Sequence, residues 1–136
     1  MPRIAIVFAA GFLAVLIGHQ PMAAALDALG LAPAGFPPYS LDPVPPLRVP
    51  TVISKAFWGG LWAILLDLIL RRSSGASYWV GWTVLGAVAL SLVAIFVVPV
   101  LKGKPVPVFA DLFPFAAAVN AAWGLVTAAL LTFWRR

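Results

Sequence analysis

Apolar residues run along this chain in four blocks. Ile4–Gly18 reads IAIVFAAGFLAVLIG and Val52–Leu70 reads VISKAFWGGLWAILLDLIL. Trp79–Leu101 reads WVGWTVLGAVALSLVAIFVVPVL and Phe113–Trp134 reads FPFAAAVNAAWGLVTAALLTFW. Each block is apolar on every side rather than along one stripe, which marks a helix that is fully buried or lies in lipid. Crossing a hydrocarbon layer of about 30 Å takes about 20 residues at 1.5 Å each. The pattern therefore predicts an all-α integral membrane protein. Its four transmembrane helices, about 4–20, 52–70, 79–101 and 113–134, would form an antiparallel bundle in a single domain, 1–136.

The first block follows a basic residue, Arg3, and precedes the small residues Ala23–Ala25, as in a signal peptide. We expect instead a retained first transmembrane helix with its N-terminus inside, extended past His19 and Gln20. Two continuations are open at Pro21. In one, a short amphipathic helix over about 21–30 lies at the interface, with Met22, Ala25, Leu26 and Leu29 on one face. In the other, a single long helix is kinked at Pro21.

Residues Leu31–Pro50 hold seven prolines in twenty positions. Proline has no N–H donor, so an extended polyproline-type outer loop is expected rather than helix or central strand. Phe36, Tyr39, Leu41 and Leu47 suggest that this loop folds back over the bundle. RRSSGAS (71–77) is a short inner turn, and KGKPVPVFAD (102–111) is a second outer loop.

Composition strengthens the membrane reading. The chain is 63% hydrophobic and 10% charged, far from the soluble averages of about 45–50% and 25%. The net charge of +5 does not indicate nucleic acid, because the basic residues flank apolar spans, where they set topology and meet lipid headgroups. Arg3, Arg71, Arg72, Arg135 and Arg136 crowd one short-looped side. Arg48, Lys55, Lys102 and Lys104 are spread thinly over the other. The expected orientation is N-in/C-in, with both termini cytoplasmic in a bacterial inner membrane. Tyr78, Trp79, Trp82 and Trp134 would form the inner aromatic belt. Cysteine is absent, which excludes disulfides and thiol chemistry.

Aligning Arg71–Arg72 with Arg135–Arg136 superposes Gly60 and Leu61 on Gly124 and Leu125, the mark of a candidate two-hairpin repeat. Small residues at four-residue spacing predict packing seams. Helix two offers Ala56, Gly59, Gly60 and Ala63. Helix three offers Thr83, Ala87 and Ser91, and helix four offers Asn120 and Gly124. Helix two is expected at the centre of the bundle.

Asp67 is the foremost intramembrane polar candidate, since an ionisable group within a span is costly and marks a site by default. Its spacing from Arg71 predicts a helical salt bridge. Asn120 needs a hydrogen-bond partner, with Ser54, Thr83 or Ser91 in reach. His19 is the outer-face candidate. No nucleophile–base pair, phosphate loop or ligand cluster is present, so neither an enzyme nor a bound metal or cofactor is expected. The partners implied are the lipid bilayer and other membrane subunits or a second copy. An accessory or structural subunit of a larger membrane complex is the first functional reading. A small homo-oligomeric transporter or channel using Asp67 is the second, and a quinone- or pigment-contacting protein near His19 the third.

Overall fold

The computed structural model describes residues 2–134. Four helices, each long and apolar enough to cross a membrane, make up most of it: α1 Arg3–Ala28, α2 Thr51–Leu70, α3 Gly75–Leu101 and α4 Phe109–Trp134. Two strands, β1 Pro43–Val44 and β2 Val49–Pro50, pair antiparallel in the long loop. Arg135 and Arg136, which carried part of the topology and repeat readings, lie outside the described residues.

The first helix does not stop at Pro21. It continues to Ala28, so residues 21–30 do not form a separate interfacial helix. The backbone accommodates the proline by widening one turn upstream, where Val15–His19 is π-helical. A proline ring clashes with the carbonyl four residues back and cannot donate to it; a wide turn eases both problems. The same device recurs in α3, where a π-helical turn at Val93–Val97 precedes Pro99 and the helix runs on to Leu101. The fourth helix likewise begins at Phe109, a turn early, and so encloses Pro114. Phe109 stacks on Phe113 at 4.6 Å and on Phe96 of α3 at 6.0 Å, which draws this segment into the helix.

Successive helices run antiparallel. The sequential hairpins α1/α2 and α3/α4 are each closely packed, and α1 also packs along α4. By contrast, α2 meets α3 mainly through the Gly75–Leu85 part of α3. The central helices are therefore α1 and α4, not α2. This also bears on the repeat: two equivalent hairpins would pack α2 on α3 as α4 packs on α1, and they do not.

Glycines set the close approaches. A Cβ on Gly11 would strike Ala63 and the Gly59 carbonyl, and one on Gly124 would strike the Trp82 carbonyl. Gly86 faces Gly124 and the Asn120 carbonyl. In α3 the buried residues are Tyr78, Trp82, Gly86, Leu90, Ser91 and Ile95, while Ala87 is only half-buried. Two of these, Tyr78 and Trp82, are residues of the expected inner belt. They stack edge-on with each other and, through Trp82, with Trp123 of α4, rather than standing in a belt.

The long loop does return over the helices. Phe36 lies 6.1 Å from the Phe115 ring, and Tyr39 is hydrogen-bonded to α1. Leu41 and Leu47 instead stay exposed. The β1/β2 hairpin was not expected in so proline-rich a segment. It is tolerated because Pro43 and Pro50 pair with each other at the end of a two-stranded ribbon, where a missing donor costs little.

Candidate functional site

Arg3 and Asp67 form the one ion pair among the described residues. Arg3 donates from Nε to Oδ2 at 2.8 Å and from a terminal nitrogen to Oδ1 at 2.7 Å. Asp67 is buried, whereas the Arg3 side chain is about half exposed at 48%. The expected Asp67–Arg71 bridge is not what forms. Arg71 lies just beyond the end of α2, exposed, and touches Asp67 through the helical bond from its backbone N–H to the Asp67 carbonyl. An i,i+4 pair is worth only about 0.3–0.5 kcal/mol. A two-pronged guanidinium fork satisfies both carboxylate oxygens at once. The antiparallel register of α1 on α2, set by Gly11 and Gly59, places Arg3 level with Asp67.

Asn120 donates to the Ser91 hydroxyl at 3.0 Å, joining α4 to α3. Thr127 donates to the carbonyl of Trp123, one turn back in its own helix. Trp123 Nε1 donates to the Gly11 carbonyl at 2.9 Å, and Tyr78 donates to the Ala128 carbonyl at 3.2 Å. The Trp82 indole N–H is buried without a hydrogen-bond partner among the described residues.

His19 lies where α1 resumes its normal pitch, half-buried, with Nδ1 3.1 Å from Gln20 Nε2. Gln20 is almost wholly buried, and its Oε1 accepts the Tyr39 backbone N–H at 2.6 Å. The Tyr39 hydroxyl in turn donates to the Leu16 carbonyl at 2.7 Å. The cause lies in Pro21. In the wide turn the Gln20 N–H is spent on Val15, and the next residue, Pro21, has no N–H to give. The Leu16 carbonyl is thereby left for a side chain, and Tyr39 fills the need. We expect Tyr39→Phe to lose about 0.5–1.5 kcal/mol of unfolding free energy, the net worth of one hydrogen bond, since this one lies at an exposed site. Reversible unfolding in mild detergent measures it.

These polar groups do not converge. Asp67 sits at the end beside the 71–74 turn, Asn120 and Thr127 lie along α4, and His19 faces the end that carries the long loop. Among the described residues no three His, Cys, Asp or Glu gather in a way that would hold a metal. An apolar groove of about 480 Å³, lined by Ile6, Ala9, Leu13 and Trp134, opens beside α1.

No protein-family model, curated protein or solved structure matches this chain. What the geometry shows is a small hydrophobic four-helix bundle of membrane-protein character, with the predicted small residues placed as follows. Gly59, Gly60, Ala63 and Gly124 are buried at helix contacts and Ser91 is fully buried. Sequence reasoning overlooked the seam of α1, although Ala10, Ala14 and Gly18 repeat at the same four-residue spacing and all are buried.

Proposed function

We propose that this chain is a multi-pass membrane protein of a bacterial inner membrane, with both termini cytoplasmic. In this reading it serves as an accessory or structural subunit that packs by its helix faces within a larger membrane complex, and it is not an enzyme. One observation carries the proposal: apart from the Trp82 indole N–H, the buried polar side chains described are used to hold the bundle together. Asp67 is taken by Arg3, Asn120 by Ser91, and Trp123 by the Gly11 carbonyl. A transport path needs polar groups left over to line it, and α4 offers none at Asn120 or Thr127.

A second feature supports the subunit role. The most apolar helix, α3, is also the least covered, with 22% of its apolar window buried against 39–44% in the other three. Trp79, Val80, Val84, Val88, Leu92 and Phe96 leave one long face of it open. In a bilayer that face meets lipid or another helix. The test is purification of the full chain from its native membrane in a mild detergent, followed by mass spectrometry. A stoichiometric membrane partner is the expected result. A protein that elutes alone as a monomer or dimer contradicts the subunit reading.

A further inference from the structure

The open face of α3 is a regular row. Two turns of this helix are π-helical, Gly86–Leu90 and Val93–Val97. A π turn takes up more residues than the ordinary 3.6, so residues four apart stay close to one face. Burial follows that spacing. Tyr78, Trp82, Gly86 and Leu90 are buried, the first three against α4. Half a turn away, Val80, Val84, Val88, Leu92 and Phe96 are all exposed. The rows between hold Gly81, Thr83, Ala87 and Ala89, each half-buried. The outer face of α3 is thus an aliphatic ridge flanked by small residues.

Helices in a bilayer associate by close packing, and a ridge between rows of small residues suits it. Three of the five ridge residues are valine, whose side chain has little rotamer freedom to lose on packing. The ends of α3 decide which helix fits. Arg71 and Arg72 stand exposed just before it, and Lys102 and Lys104 stand exposed just after it. The helix itself contains no acidic residue. Asp67 is taken by Arg3, and at the loop end Asp111 is one acid against two lysines. A second copy, paired ridge to ridge about a two-fold axis normal to the bilayer, would set these cations against their own kind at both ends. A helix with acidic ends would meet them with opposite charge.

We propose that this ridge docks one apolar transmembrane helix of a different membrane protein. That helix carries acidic residues at both ends, facing Arg71 and Arg72 at one and Lys102 and Lys104 at the other. The inference rests on the subunit reading above and names the surface and the chemistry of its partner.

Photo-crosslinking in the native membrane tests it, with the full chain carrying p-benzoylphenylalanine at one position at a time. Val84 and Leu92 are the ridge positions, and Ile17 on α1 and Leu65 on α2 are exposed controls. Both ridge positions, and neither control, are expected to crosslink to one co-purifying membrane protein. The crosslinked peptide should lie in an apolar span with Asp or Glu at each end. Lys102→Gln/Lys104→Gln should cut the yield from Leu92 by about fivefold, the scale of two exposed ion pairs. Crosslinks to a second copy of the chain, equal yields from the controls, a crosslinked span without acidic ends, or an unchanged yield in the lysine variant would each overturn the proposal. A partner that co-purifies but is not reached from Val84 or Leu92 defeats the ridge and leaves the subunit reading standing. A chain that purifies alone, with no crosslinked protein from any position, defeats the subunit reading itself.

Discussion

Gly124→Ala is expected to lower the unfolding free energy by about 3 kcal/mol, the upper end of the usual cost of overpacking. A methyl group there meets the Trp82 carbonyl and the Thr83 Cα, which are backbone atoms of α3 that no rotamer change can move. The helices must separate. Separation also loosens Asn120 from Ser91 and the ring of Trp82 from that of Trp123. Gly60→Ala is the informative comparison. The three atoms nearest its Cβ all belong to the ring of Phe8, a half-buried side chain that can rotate away, so the loss should stay near 1 kcal/mol or below. Unfolding titrations in mixed micelles read both. Equal, small losses would show that α3 and α4 do not approach through Gly124.

Removing Arg3 has the second large effect. Arg3→Ala takes the guanidinium fork from a buried carboxylate, and breaking a buried pair costs about 3–5 kcal/mol. Arg3 is about half exposed, so solvent screens the pair and the expected loss falls below that range, at about 1–2 kcal/mol. Arg71→Ala, at the partner position that helical spacing suggests, should change stability by less than about 1 kcal/mol. The double variant Arg3→Ala/Asp67→Leu should recover much of the loss, because no carboxylate is then left to solvate. If Arg71→Ala is the costlier single change, Asp67 pairs within its own helix.

The contrast between these two arginines shows what a single sequence makes legible. Four helices and their approximate spans follow from apolar length alone, and four-residue spacing of small side chains found Gly59, Gly60 and Gly124. The partner of Asp67 lies 64 residues away, and only the register of α1 on α2 brings Arg3 to it. Local spacing favoured Arg71 because register is not written in either helix by itself. Pro21 misled for a different reason. It reads as a helix end, yet one widened turn absorbs it and the helix continues. The carbonyl which that leaves over explains why Tyr39 holds the loop, a link that needs both the turn and the loop in view. The centrality of α1 was overlooked for want of counting Ala10, Ala14 and Gly18 as a seam.

The absence of native cysteine permits the most direct test of the claim that this bundle spans a bilayer. Single cysteines at Leu47 in the long loop, Ser73 in the α2–α3 turn and Val88 midway along α3 are labelled in intact cells with a membrane-impermeant maleimide, which reacts only where water reaches the thiolate. Leu47→Cys should label at once, Ser73→Cys only after the membrane is permeabilised, and Val88→Cys in neither case. Labelling of Leu47→Cys and Ser73→Cys from the same side, or of Val88→Cys as fast as either, would contradict a bilayer-spanning bundle.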